Sequence, residues 1–251
     1  MSAPLDAELE AGLRRLKLRR VRELAPELLV TARTQRWRPE ELLGALVREE
    51  IAAREASNLA RRLRAARFPT EKTLEGFDPA ASELSQATLS FLGSLEWLER
   101  RENLCLAGPA GTGKSHLGAA LGRAACEAGH RVRFLAASEL VEELHRGLAD
   151  NSVGKLVASL LRNDLIVIDD LGFTAMDRIA AEHLFRFVAA AYEQRSLIVT
   201  TNVAFERWTS FLPDETVATA ILDRLLHHCH VIRLSGESYR LREAREVVTP
   251  A

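Results

Sequence analysis

The stretch Gly108-Pro109-Ala110-Gly111-Thr112-Gly113-Lys114-Ser115 constrains this chain more than any other. It reads G-x-x-x-x-G-K-S, the P-loop pattern, which requires a buried strand before it and a helix after it. Both flanks comply. Leu104-Cys105-Leu106-Ala107 is short and apolar, and His116 to Cys126 is rich in Ala and Leu. The chemistry lies in the backbone. Glycines let successive N–H groups turn inward toward phosphate oxygens with no Cβ in the way. The helix that begins near Gly113 adds its positive dipole end. Lys114 then reaches the β- and γ-phosphates of a nucleoside triphosphate, and Ser115 offers a hydroxyl to Mg²⁺.

A second pattern follows about fifty residues later. Leu165-Ile166-Val167-Ile168-Asp169-Asp170 is an apolar strand ending in paired acids, the Walker B arrangement. Asp169 emerges at the carboxyl edge beside the P-loop, where a hard oxygen suits the Mg²⁺ shell. Asp170 is placed to orient or deprotonate the attacking water. Thr200-Thr201-Asn202 ends the next apolar strand. Asn202 both donates and accepts, and in this order along the chain it reads as a nucleotide sensor. Later, Arg224 and Arg240 offer guanidinium groups suited to charge on phosphoryl oxygens. Alone, each reads better as a surface salt bridge. His227-His228-Cys229-His230 looks like a metal cluster, but its spacing argues against one. Adjacent residues point apart, and structural zinc sites space their ligands more widely.

Around these motifs apolar strands alternate with helical patterns. Strands are predicted at 104–107, 131–136, 165–168, 197–199 and 231–234. Helices are predicted at 82–101, 116–126, 138–148 (capped by Ser138), 153–161, 177–193 and 216–226. The alternation predicts an α/β fold, a parallel sheet covered on both faces. The N-terminal third differs. Leu13, Leu16, Arg20 and Leu24 share one helical face, and Pro26 is expected to interrupt or restart that helix. A second helical pattern starts at Pro39-Glu40-Glu41 and runs through Ile51 toward Leu63. Cations crowd Arg14–Arg22 and Arg54–Arg67. Two readings stay open for them: solvated faces with ordinary i,i+4 pairing, or contact with nucleic-acid phosphates. Phe68-Pro69 ends the helix and 70–79 is a connector. The expected division is a small all-helical domain over 1–68 and an ATPase domain over 69–251.

Net charge is −1, so only the distribution of charge bears on nucleic acid. Three scattered cysteines argue for a reducing cytoplasm rather than a disulfide framework. No apolar run is long enough to cross a bilayer, so no membrane partner is expected. Met1 to Glu10 lack a charged-then-apolar leader pattern.

P-loop, Walker B, sensor Asn and late arginines, in that order, resemble an AAA+ ATPase. Three further stretches sharpen the likeness: Phe68-Pro69-Thr70-Glu71-Lys72-Thr73-Leu74-Glu75-Gly76-Phe77-Asp78, the Asp-Asp-Leu-Gly-Phe run at Asp169–Phe173, and Leu222-Asp223-Arg224-Leu225 with Ser238-Tyr239-Arg240-Leu241-Arg242. Together they are similar to IstB-like proteins, helper ATPases of insertion-sequence transposition and relatives of the helicase loader DnaC. The resemblance implies the AAA+ sheet, a helical N-terminal domain, and ATP with Mg²⁺ as cofactors. It implies that residues Gly108 to His116 bind the nucleotide and that Ser115 and Asp169 hold the metal. Lys114, Asp169 and Asp170 take catalytic roles. Asn202 resembles the first sensor, Arg224 a finger supplied to a neighbouring subunit, and Arg240 the second sensor. A finger of that kind has no evident task within its own subunit. Asp170 stands where AAA+ proteins usually carry Glu. The implied partners are double-stranded DNA with little sequence preference, a cognate transposase, and further copies of the chain in an ATP-dependent oligomer. The alternative is loading of a replicative helicase.

Overall fold

The computed structural model describes residues 4–239. They form two compact units, one up to Arg61 and one from Arg62 onward.

The first unit is built on α1 (Ala7–Arg15), α2 (Arg19–Gln35) and the beginning of α3 (Pro39–Ala66). The Asp6 carboxylate caps α1 by accepting from the Glu8 N–H at 3.1 Å. The chain then breaks at 16–18, where Lys17 takes a φ of 57°. Pro26 does not interrupt anything, contrary to expectation; it lies inside α2. Proline removes one N–H and crowds one carbonyl, and this helix tolerates both. Because the break falls earlier, the single apolar face predicted through Leu16 does not exist. Leu13, Val21 and Ala25 are buried, while Leu16 is 67% exposed.

No side chain next to α2 caps its first turn. The cap comes from α3 instead. Glu50 accepts from the N–H groups of Arg20 at 2.8 Å and Val21 at 3.1 Å. These are among the orphan donors every helix start leaves. Arg54 donates to Glu50 at 2.7 Å and to the Lys17 carbonyl at 3.0 Å, closing the corner. The Arg54 bond, with the two backbone donors, holds the Glu50 carboxyl below the usual carboxylate range despite burial.

The second unit carries a five-stranded sheet in the order β2-β3-β4-β1-β5. The strands are β1 (Asn103–Ala107), β2 (Val132–Ala136), β3 (Leu165–Asp169), β4 (Ser196–Thr201) and β5 (Cys229–Arg233). Every pairing is parallel. Near-continuous Val, Ile and Leu runs suit strands buried on both faces. Val167, Ile198 and Thr200 face α6 (Lys114–Glu127), where they approach Gly118. The alternate residues Ile166, Ile168, Leu197 and Val199 join the core formed with α7 (Ala137–Ala149), α9 (Arg178–Ala191) and α10 (Glu215–His227). Each such aliphatic side chain, fully buried, stabilises the fold by about 1.5–3 kcal/mol.

Two local expectations need correction. The predicted helix 82–101 is a 3-10 turn at Ala80–Ser82, then α4 (Gln86–Ser94) and α5 (Glu96–Glu99). Leu95 takes a left-handed φ of 60° between them, and Trp97 is wholly buried with its ring N–H on the Leu92 carbonyl. Burying that indole decides the bend. Ser138 is not a cap: α7 already starts at Ala137. Between α7 and β3 lies α8 (Val153–Leu160). Cys105 and Cys126 are buried and Cys229 is half-buried. Burial pushes all three thiols up, Cys126 to about 11 and Cys229 to about 12. Among the described residues no helix is long and apolar enough to cross a membrane.

Candidate functional site

Parallel strands deliver their ends to one edge of the sheet, and the P-loop motifs meet there. Register sets the spacing. Leu106 lies opposite Thr200 and Ala107 opposite Thr201, and the Gly108 N–H donates to the Thr201 carbonyl at 3.2 Å. Asn202, exposed, therefore leaves β4 beside the first residue of the P-loop.

The loop has the conformation that glycines permit. Gly111 and Gly113 take φ of 84° and 92°, which side-chain-bearing residues rarely adopt. A Cβ on Gly111 would stand 2.1 Å from the Ser238 hydroxyl, and one on Gly113 would stand 2.9 Å from the Phe77 ring. Lys114, 5% exposed, curls back so that its ammonium donates to the Pro109 carbonyl at 2.6 Å. The Thr112 hydroxyl donates to the same oxygen at 2.9 Å. The loop is thus a cradle of backbone closed by one buried cation, which fits a polyphosphate.

Asp169 ends β3 at this edge. The Thr200 hydroxyl donates to its carboxylate at 2.6 Å and accepts from the Asp170 N–H at 2.8 Å. Burial pushes the Asp169 carboxyl above the usual carboxylate range. Thr200, Ser115 and Lys114 pull the other way, and the Asp170 charge adds to the rise. Ser115 and Asp169 together offer two hard oxygens, the donor set Mg²⁺ prefers. Asp170 is exposed and turns out of the strand with φ of 57°.

Thr200 is the member of this cluster that sequence reasoning missed. The signal was present, because a strand running beside β3 puts alternate side chains on the Asp169 face. The connector was also missed as a wall of the site. The Ser82 hydroxyl donates to the Thr112 carbonyl at 2.9 Å, and Phe77 packs edge-on to His116. The His116 ring lies 3.1 Å from the Thr73 carbonyl, which ties it to the connector. From the other side, the Leu234 N–H donates to Ala107 and the Tyr239 N–H to Gly111. Arg240 lies outside the described residues.

Arg224 sits on α10, which leads into the edge strand β5. It makes contacts within its own subunit. It donates to the Ala220 carbonyl at 3.1 Å and stacks over the Phe185 ring at 4.8 Å. The histidine run also needs a correction. His227 ends α10 and His228 leaves the helix, so their rings stand 4.1 Å apart instead of pointing away. Glu193 joins them on the surface. All three are exposed, with Tyr192 on His227 and Glu193 on His228, and we assign no metal to them. His230 turns off to Glu102 at 2.7 Å.

This sheet order, with a P-loop after β1 and paired acids after β3, defines a P-loop ATPase fold of the AAA+ class. Solved structures agree on the fold. Aquifex aeolicus DnaA bound to AMPPCP matches with a TM-score of 0.57 at 19% identity, over 72% of this chain and 56% of that one. The present chain thus spans just over half the length of that DnaA. The DnaC helicase loader matches with a TM-score of 0.55 at 19% identity, over 70% of this chain and 99% of that one. The chain belongs to the family of IstB-like ATP binding proteins, whose pattern it matches over residues 11–247. It is 37% identical over 240 residues to an ATP-binding protein of insertion sequence IS21 from Pseudomonas aeruginosa, covering 95% of this chain and 91% of that one. It is 35% identical to an insertion-sequence ATP-binding protein of Mycobacterium tuberculosis, covering 95% and 96%.

Proposed function

We propose that this chain is an ATP-hydrolysing, DNA-binding helper of an insertion-sequence transposase. The observation that carries the reading is the Thr200 bridge. It holds Asp169 and Asp170 at the mouth of a phosphate cradle, in a chain whose relatives belong to insertion sequences. Lys114 and residues 108–116, through the backbone N–H groups that follow Pro109, hold the triphosphate. Ser115 and Asp169 would hold the Mg²⁺ that accompanies it, which would supply charge neutralisation for the leaving phosphates. Asp170 orients water and Asn202 reads the γ-phosphate. Arg224 releases its contact with Ala220 and Phe185 to serve a neighbouring copy, and Arg240 completes the charge. The helical residues up to about 68 serve assembly and partner contact.

The test is reconstitution with a cognate insertion-sequence transposase. Duplex DNA should stimulate ATP hydrolysis, and the ATP-bound protein should stimulate strand transfer. An inert pairing, with instead a helicase-loading activity, would replace this reading by the loader one. The trans role of Arg224 is tested by mixing Arg224→Ala with Lys114→Ala protein. Recovered hydrolysis supports it. No recovery from co-assembled, folded partners rejects it.

A further inference from the structure

A hollow of about 490 Å³ lies in the second unit. Arg64, Arg67, Lys72 and Arg123 line it, with Leu63, Phe68 and Pro69 as its apolar part and Glu71 its one acid. Arg64, Arg67 and Lys72 form no ion pair among the described residues and are exposed. Arg123 is paired with Glu127 at 3.0 Å. Clustered cations repel one another, so four around one hollow are stable mainly when an anion or solvent lies between them.

The hollow is rigidly founded. Arg62 donates to the Cys126 carbonyl near the end of α6 at 2.8 Å. Phe68 packs on Gly122, where a Cβ would stand 2.8 Å from its ring, and meets Phe134 edge-on at 6.0 Å. The chain that lines the hollow continues directly into the nucleotide site. Five residues after Phe68, the Thr73 carbonyl meets His116, and Phe77 then packs on Gly113. α6 makes the same link by another route: Arg123 lies on the helix that Lys114 begins.

We propose that this hollow binds the phosphodiester backbone of DNA and that the 68–77 connector joins its occupancy to the nucleotide site. The proposal rests on reading the chain as a DNA-binding ATPase, and it places a contact on the ATPase unit itself. Arginine forks suit phosphate oxygens, and contacts to the phosphodiester backbone carry no sequence information, so binding there is independent of sequence. If DNA tightens ATP binding through the connector, ATP tightens DNA binding by the same factor.

The experiment uses the full chain with Arg64, Arg67 and Lys72 changed together to Gln, beside a set with Arg14, Arg19 and Arg22 changed to Gln. Circular dichroism checks folding, and a set with Arg64→Lys and Arg67→Lys separates charge from packing. Duplex affinity of the Gln groove set should fall at least about tenfold, with the log–log salt slope shallower by about 0.9 per lost contact. Its DNA-induced gain in affinity for a fluorescent ATP analogue should vanish, and the Lys set should retain both. A folded Gln groove set with wild-type affinity and slope overturns the groove while leaving the functional reading intact. Wild-type protein that binds no duplex in any nucleotide state overturns both. With the nucleotide site saturated by the ATP analogue, displacement of DNA from the wild-type chain by inorganic tripolyphosphate at matched phosphate concentration would assign the hollow to a soluble polyanion and reject DNA.

Discussion

The carboxyl edge of the sheet and the arginine-bearing surface of the first helices hold charge in opposite ways. At the edge, Lys114 is 5% exposed and bonded to a carbonyl, and Asp169 accepts from the Thr200 hydroxyl. On α1 and α2, Arg14 and Arg19 reach Glu10 and Glu23 one turn away, with 70% and 85% of their side chains in solvent. A buried charge depends on each partner, because losing one leaves the other unsatisfied in low dielectric. An exposed pair exchanges its partner for water at little cost. The contrast teaches that the edge is sensitive to single atoms, whereas the helical surface answers only to totals.

Lys114→Ala should break the edge most completely. It removes the cation that closes the cradle, and nucleotide affinity should fall on the order of a thousandfold, as for loss of two charge-assisted bonds. Titration with a fluorescent nucleotide checks this, and unchanged affinity would remove the assignment. Asp170→Asn should follow, with turnover down about 100-fold or more while nucleotide still binds. Wild-type turnover would place the base elsewhere.

Glu50→Gln sharpens the comparison, because it carries edge-like behaviour into the helical unit. Its cost should be about 1–3 kcal/mol, from the lost charge on Arg54 and the weakened cap. The pH dependence has a definite sign. The folded carboxyl titrates below its ordinary value, so its contribution is complete above roughly pH 4.3 and is lost as pH falls through the folded value. The protection of the Arg20 and Val21 amides against hydrogen exchange, taken relative to the intrinsic rate at each pH, should therefore fall in acid in the native chain. In the variant that protection should start lower and lack the acid step. Smallest of all, Arg14→Gln with Arg19→Gln should leave the thermal midpoint unchanged within error. A clear drop would show that those pairs hold more than the surface geometry indicates.

The sheet, its strand order of motifs and the P-loop were legible because short apolar runs and a glycine pattern are local signals. Asp169 and Asp170 were legible for the same reason. What escaped depends on partners distant in sequence. Glu50 caps a helix that starts thirty-one residues earlier, at Arg19, and nothing beside Arg19 announces it. Thr200 acts through a neighbouring strand, and Phe77 and Ser82 through a connector with no periodicity of its own. The two basic stretches looked alike in composition. Pairing divides their members: Arg14, Arg19 and Arg54 have acids one turn away, while Arg64 and Arg67 form no such pairs among the described residues.

The placement of the thiols has a practical consequence. Cys105 and Cys126 are enclosed, and Cys229 is held protonated well above neutral pH. Only the thiolate attacks maleimides and iodoacetamides at a useful rate. The native chain is therefore a quiet background for site-specific dyes. A cysteine introduced at Glu71, on the rim of the basic hollow, can be labelled in the otherwise unaltered protein and followed by fluorescence as duplex and nucleotide are added in either order.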